Sequence, residues 1–326
     1  MNERYAVTGG AGFIGSQIVR TLLSRGADRV VVVDNLLTGR AENLHEVRGS
    51  VEYHDTDIRD YDKMLAALNG CDYLIHLAAI PSVPRSIEDP VQSHDVNLNG
   101  TFNTYRAAVQ ARIKRVVFAA SSAAYGDTEV LPKVETMKPR PKSPYAAQKV
   151  LGELYGSVFN DCYGLETVSL RFFNVYGPRQ DPSSPYSGVL SVFMRCILEN
   201  RAPMIHGDGE QSRDFTYVED VADLVLKSMH ASDVSGKTFN AGNGNRYTLN
   251  DVWSTLKRIT GSRLDPTYGP PRVGDVRHSQ ADTTDAVRYL GHAPRFSLEE
   301  GLRRTFDWYS KDAVERASAD ASVQSR

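Results

Sequence analysis

Thr8-Gly9-Gly10-Ala11-Gly12-Phe13-Ile14-Gly15 stands directly behind a short apolar run that begins at Arg4, and its reading decides the fold. Glycines three apart (Gly9, Gly12, Gly15) let the backbone turn tightly, approach a pyrophosphate and pack the following helix hard on a sheet. The free amide N–H groups at that helix's start then attract phosphate charge. Ile18, Val19, Leu22 and Leu23 give the next segment an amphipathic helical pattern, and Arg29-Val30-Val31-Val32-Val33-Asp34 reads as a second strand. Asp34 falls about 20 residues past the glycines, where a carboxylate accepts from both hydroxyls of an adenine ribose. It would repel a 2′-phosphate and no Arg follows it immediately, so NAD is favoured over NADP.

Strand-like and helix-like segments alternate outward from this loop. Val51–His54, Tyr73–Ala78, Arg115–Ala120 and Thr167–Phe172 read as strands, while Tyr61–Leu68, Val91–Arg112 and Pro144–Tyr163 carry helical periodicity. The alternation predicts an α/β chain: a Rossmann-type doubly wound parallel sheet with a smaller, mixed α/β C-terminal substrate-binding lobe. From Asn174 the pieces become shorter and richer in Gly and Pro, and Gly177–Pro185 reads as a loop. We expect residues 1–174 to form the NAD-binding domain, with the chain returning to it at about 215–240. Residues 175–312 are expected to form mainly the second lobe, and residues 313–326 a polar tail that frays from about Ser310.

Composition narrows the function classes. The chain has 326 residues and a net charge of −2 with mixed signs, which suggests neither a nucleic-acid nor a membrane surface. Cys71, Cys162 and Cys196 are scattered without metal-type spacing, as in a reduced cytoplasmic protein that binds no metal. A first strand at Arg4 leaves no room for a signal peptide, and no apolar run approaches membrane-spanning length.

Tyr145 and Lys149 carry the chemistry. Ser143 is a good N-cap and Pro144 suits the first helical position, so a helix should start there and place both side chains on one face. Of the sixteen tyrosines only Tyr145 has a Lys four residues on. A phenol acting as base at neutral pH needs a shift of about three units, roughly 4 kcal/mol. A nearby ammonium and a positive nicotinamide ring favour the phenolate. Ser121 and Ser122 close the preceding strand on the side where ligands lie, so Ser121 can hydrogen-bond a substrate oxygen and share a proton with Tyr145.

These motifs carry a resemblance. Gly9-x-x-Gly12-x-x-Gly15, Asp34-Asn35-Leu36, Asp57-Ile58, His76-Leu77-Ala78-Ala79, Asn97-x-x-Gly100-Thr101, Ser121 four before Tyr125-Gly126, and Tyr145-x-x-x-Lys149 resemble an extended short-chain dehydrogenase/reductase from Tyr5 to about Trp308. Within that superfamily the chain is similar to nucleotide-sugar 4-epimerases, above all those acting on UDP-N-acetylglucosamine and UDP-glucose. The stretches that carry this are Ser82–Ser86, Phe172–Pro182, Ser212–Phe215 and Arg272–Ser279. The resemblance implies that Phe13, Ile14, Asn35, Asp57, Ile58, Leu77, Ala78, Ala79, Asn97 and Phe172 join the glycines, Asp34, Tyr145 and Lys149 around NAD. It implies that Asn174, Arg213 and Arg272 bind a UDP diphosphate, where guanidinium forks suit phosphates. Asp275 would accept from the uridine ribose, and Val189, Leu190 and Met204-Ile205-His206 would line the uracil pocket. Ser82, Val83, Ser121, Ser122 and Tyr145 would meet the sugar. Arg213-Asp214 can also be read as an internal ion pair, and Asp275 as a surface charge.

The resembling families share a first step, in which the tyrosine takes the 4-hydroxyl proton as hydride leaves C4 for NAD. A 4,6-dehydratase then needs Asp and Glu after the strand end, where this chain has Ser122 and Ala123. Uronate processing needs polar or cationic groups for a carboxylate, whereas the corresponding loop, Asp181-Pro182-Ser183-Ser184-Pro185, is acidic. Epimerisation needs no further acid or base, only a roomy pocket and a retained cofactor. Ser279 occupies a position that is a pocket wall in the resembling epimerases, and its small side chain leaves space for a 2-acetamido group. The expected activity is therefore 4-epimerisation of UDP-N-acetylglucosamine and UDP-N-acetylgalactosamine, with UDP-glucose and UDP-galactose as further substrates. A UDP-glucuronate 4-epimerase or another NAD-dependent nucleotide-sugar enzyme is the alternative. The resemblance also implies a homodimer joined through the Val91–Arg112 and Pro144–Tyr163 helices.

Overall fold

Valine-rich runs build the sheet. The computed structural model describes residues 3–181, 188–271 and 276–324, with side chains to residue 314. Its first part runs β1 (Arg4–Thr8), α1 (Phe13–Ser24), β2 (Arg29–Asp34), β3 (Glu52–Asp55), α2 (Tyr61–Leu68), β4 (Tyr73–His76), α3 (Val83–Glu88), α4 (Pro90–His94), α5 (Thr101–Gln110), β5 (Arg115–Ser121), α6 (Pro144–Tyr163) and β6 (Glu166–Phe172). There follow β7 (Asn174–Tyr176), α7 (Val189–Leu198), β8 (Met204–His206), β9 (Ser212–Arg213), β10 (Phe215–Tyr217), α8 (Val218–His230), β11 (Lys237–Ala241), β12 (Tyr247–Thr248), α9 (Leu249–Thr260), β13 (Thr267–Gly269), α10 (Thr284–Leu290) and α11 (Leu298–Gln324).

Seven parallel strands form one sheet in the order β11-β6-β5-β4-β1-β2-β3. Alternation along β2 serves both faces: Val30 and Val32 pack with Ile18, Leu22 and Val225, whereas Val31 and Val33 pack with Met64, Leu68 and Tyr105. Strand order reverses between β1 and β4, which opens a crevice beyond their carboxyl ends. A third core, around Phe193, Ile205, Trp253 and Leu302, sits under the later elements. This is the α/β, Rossmann-type sheet that the alternation predicts.

Three local expectations are corrected. The helix over Val91–Arg112 is interrupted: α4 ends at His94, a wide π-helical turn spans Asp95–Gly100, and α5 ends at Gln110. Side chains competing for the ladder explain the turn, since the Thr101 hydroxyl donates to the Asn97 carbonyl at 2.7 Å and that of Thr104 to the Gly100 carbonyl at 2.8 Å. The strand expected over Tyr73–Ala78 stops at His76: the Leu77 N–H still reaches the Thr8 carbonyl at 3.1 Å, but the Ala78 N–H turns to the Thr8 hydroxyl at 3.3 Å. The tail expected to fray from Ser310 is helical to Gln324, consistent with an alanine-rich stretch free of Gly and Pro.

His76 ends β4 wholly buried, its Nδ1 2.7 Å from the Thr8 hydroxyl and its Nε2 3.0 Å from that of Thr101. Burial, assisted by the Lys149 charge, pushes the imidazole down to about 3. The unfolded chain therefore takes up a proton near pH 6.5 that the folded one refuses. Stability from this residue is complete above pH 6.5 and is lost as pH falls toward 3, by roughly 5 kcal/mol in all. Urea unfolding of His76→Asn should accordingly show a flatter acid limb than the parent; equal slopes would contradict the assignment.

Candidate active site

The glycine loop lies at the β1–β4 crevice, and its glycines have no room for side chains. A Cβ on Gly9 would stand 2.8 Å from the Ala78 nitrogen, and one on Gly15 2.1 Å from the Gly9 carbonyl oxygen. Gly9 also has φ of +70°, the left-handed region that glycine adopts freely. Helix α1 starts at Phe13 with no capping side chain and no acidic residue in its first turn. Its first N–H groups are thus left for an anion. Across the loop, the Asp34 carboxylate accepts from the Ala11 N–H at 2.9 Å and the Leu36 N–H at 2.8 Å. It is buried, and burial raises its pKa.

A cavity of about 800 Å³ runs from this loop across the sheet's carboxyl edge to β5 and α6. Ser121, Tyr145 and Lys149 meet there. Helix α6 begins as its sequence predicts: the Ser143 side chain accepts from the Ala146 N–H at 3.2 Å, and Pro144 opens the first turn. Tyr145 is half-buried; its enclosure raises the phenol's pKa, and the Ser121 side chain beside it lowers it. Lys149 donates to the Ala119 carbonyl at 2.7 Å, and its Nζ lies 6.0 Å from the centre of the Tyr145 ring. Burial pushes this ammonium down to about 8, opposed by Glu153 one helical turn on. Glu153 is itself locked to Arg171 by two hydrogen bonds of 2.9 and 2.7 Å.

Sequence comparison decides the family. Residues 5–242 match the NAD dependent epimerase/dehydratase family. The chain belongs to that family. A UDP-glucose 4-epimerase of Mycolicibacterium smegmatis is 38% identical over 310 residues, 94% of this chain and 98% of that protein. The UDP-N-acetylglucosamine 4-epimerase from Methanobrevibacter ruminantium M1, solved with UDP-N-acetylmuramic acid, superposes with a TM-score of 0.91 at 37% identity, covering 95% of this chain and 99% of that one. The UDP-glucose 4-epimerase of Thermus thermophilus, solved with NAD, superposes with a TM-score of 0.85 at 38% identity, covering 94% and 99%.

The family's cofactor is NAD, and the residues present fit it. The cramped glycines, the uncapped start of α1 and the buried Asp34 match a pyrophosphate and an adenine ribose in turn. Phe13, Ile14, Asn35, Asp57 and Ile58 line the same cavity at that end. Leu77, Ala78, Ala79 and Phe172 line its middle. Asn97 instead lies behind the wall, where its carboxamide accepts from the Ile80 N–H at 2.7 Å and donates to the Ile80 carbonyl at 3.1 Å. It shapes the lining without belonging to it.

Ser82, Ser122 and Asn174 also line the cavity. Val83, Val189, Leu190, His206, Arg213 and Ser279 do not. Val83 is exposed at the start of α3, and Leu190 is packed in the second lobe's core with Val189 against it. His206 closes β8, with Nδ1 3.2 Å from the Pro270 carbonyl oxygen. Arg213 on β9 donates to the Ser212 and Arg277 carbonyls at 2.9 and 3.1 Å, and the Ser279 N–H donates to the Ser212 carbonyl at 3.0 Å. Arg213 and Ser279 are thus joined to each other through Ser212. Arg272, Asp275 and Pro182–Pro185 lie outside the described residues.

Sequence reading missed Arg85, Gln180 and Asp181 among the lining residues. Arg85 was visible within Ser82–Ser86 yet unassigned; here its guanidinium is held by the Gln92 carboxamide oxygen at 2.8 Å. Asp181 forms an ion pair with Arg40 at 3.4 Å. Nothing local in sequence links two residues so far apart along the chain.

Proposed function

We propose that this chain is an NAD-dependent UDP-sugar 4-epimerase that interconverts UDP-N-acetylglucosamine and UDP-N-acetylgalactosamine, and UDP-glucose and UDP-galactose. The observation that carries the reading is the meeting of Tyr145, Ser121 and Lys149 on the wall of one cavity whose other end fits a dinucleotide. Tyr145 takes the proton from the sugar O4 and returns it, and Ser121 hydrogen-bonds the same oxygen. Lys149 supplies positive charge beside the phenol and holds the nicotinamide ribose. NAD, held by the residues named above, would supply a reversible hydride acceptor at C4 and a positive ring that favours the phenolate. Ser122 and Ala123, which follow Ser121 in a short helical turn, bring no carboxylate that could expel a 6-hydroxyl. That favours epimerisation over dehydration.

Asn174, Arg213 and Arg272 take the diphosphate in this reading, and Asp275 the uridine ribose. Val189, Leu190 and His206 form the uracil end; Ser82, Val83 and Ser122 meet the sugar. Ser279 is its wall, so Ser279→Tyr should cut kcat/KM for UDP-N-acetylglucosamine by about 100-fold and spare UDP-glucose, since filling the acetamide space costs roughly 1–3 kcal/mol. Undiminished turnover of the acetylated sugar would remove Ser279 from the pocket.

We also propose a homodimer, supported by exposed apolar side chains on α5 and α6, the helices expected to pair: Phe102, Leu151, Leu154, Val158 and Tyr163. A cytoplasmic site of action fits a chain in which, among the described residues, no helix is long and apolar enough to cross a membrane. The function is tested by offering UDP-glucose, UDP-N-acetylglucosamine and UDP-glucuronate separately and identifying products by NMR. Conversion of UDP-glucuronate alone would replace this reading with the uronate one.

A further inference from the structure

Asp214 follows Arg213 directly, yet its carboxylate serves other partners. Oδ1 accepts from the Asn243 N–H at 2.7 Å and the Thr216 hydroxyl at 3.3 Å; Oδ2 accepts from the Gly244 N–H at 2.9 Å and the Ala281 N–H at 3.1 Å. The residue is 0% exposed. So tight is the enclosure that a Cβ on Gly242 would stand 2.9 Å from Asp214 Oδ2 and 2.5 Å from the Ala281 Cβ. One buried carboxylate therefore joins three stretches of chain: β9–β10, the turn after β11, and the segment that carries Ser279.

Two of those stretches lead to the proposed substrate site. Arg213 precedes Asp214 in sequence; Phe215 follows it and pairs in register with Asn174 across β10 and β7. Ser279 stands two residues before Ala281. The Gln280 carboxamide adds a further tie, donating to the Gly244 carbonyl at 2.8 Å. We infer that Asp214 is a positioning residue of the sugar-nucleotide site: its carboxylate fixes the spacing of Asn174, Arg213 and Ser279, and so the distance between diphosphate and sugar subsites. This rests on the reading that Arg213 and Ser279 meet the substrate. A carboxylate suits the position because all four neighbours are donors, and an acceptor-only group satisfies them together.

Asp214→Asn keeps the shape but turns one oxygen into a donor facing at least one N–H, whichever way the amide is oriented. In the full-length, NAD-loaded protein, the Kd for UDP and the KM for UDP-N-acetylglucosamine should each rise about tenfold, with kcat within about twofold and bound NAD unchanged. A purely structural carboxylate would lower Tm and leave KM and Kd where they were, which would overturn the inference. Should Asp214→Asn not accumulate as folded protein, Thr216→Val removes one of the four donors; KM should then rise about two- to threefold, and an unchanged KM would overturn the inference. Arg213→Ala run alongside separates the two claims. UDP binding undiminished in Arg213→Ala would overturn the site reading and this inference with it. Weakened binding there, but not in Asp214→Asn, would overturn the inference alone.

Discussion

Tyr145→Phe should lower kcat for UDP-N-acetylglucosamine by about 1,000-fold and leave NAD bound, a loss within the range that a positioned acid–base group supplies. The phenol shares the cavity wall with Ser121, and the Lys149 nitrogen stands 6.0 Å from the ring centre, so removing the hydroxyl takes away the base assigned to O4. The ring itself remains, and so do the buried Ala146, Gln148 and Lys149 that follow it on α6. Fold and cofactor content should therefore match the parent, which separates a chemical loss from a structural one. Unchanged turnover would mean that the proton moves elsewhere.

Gly15→Ala should cost the protein its cofactor. The new methyl would stand 2.1 Å from the Gly9 carbonyl oxygen, 2.8 Å from the Gly10 Cα and 2.9 Å from the Gly9 carbonyl carbon. All three are backbone atoms, so no side chain can swing away; the glycine loop and α1 must part. Overpacking of this kind costs about 1–3 kcal/mol, or roughly 5 °C in Tm for a domain of this size. The larger effect should be on binding, because the loop proposed to cradle the pyrophosphate is the part displaced. The protein should purify without NAD, measured by chromatography of the acid supernatant. Full occupancy would show that the loop tolerates the shift.

How far the sequence could be read follows from the distances involved. The Gly9–Gly15 turn, the Asp34 bond to the Leu36 N–H and the Ser143–Pro144 start of α6 depend on neighbours within a few residues, and each stands where local chemistry puts it. The helix over Val91–Arg112 was legible in its periodicity, but its wide turn arises from Thr101 and Thr104 hydroxyls bonding carbonyls one turn back, a choice that periodicity does not record. Asn97 looked like a cofactor contact and is a brace for Ile80. Arg213-Asp214 invited an ion pair; the carboxylate's backbone donors instead come from residues 29 to 67 positions away. Long-range backbone partners of this kind leave no spacing to find.

In the proposed reaction, hydrogen leaves C4 of a UDP-sugar and returns to the opposite face without exchanging with water. Incubation of UDP-N-acetylglucosamine with the NAD-loaded protein in D2O, followed by proton NMR, tests it most directly. The account predicts UDP-N-acetylgalactosamine that retains protium at C4, with no accumulation of reduced nicotinamide. Deuterium at C4, or a 4-keto sugar released with reduced cofactor, would contradict it.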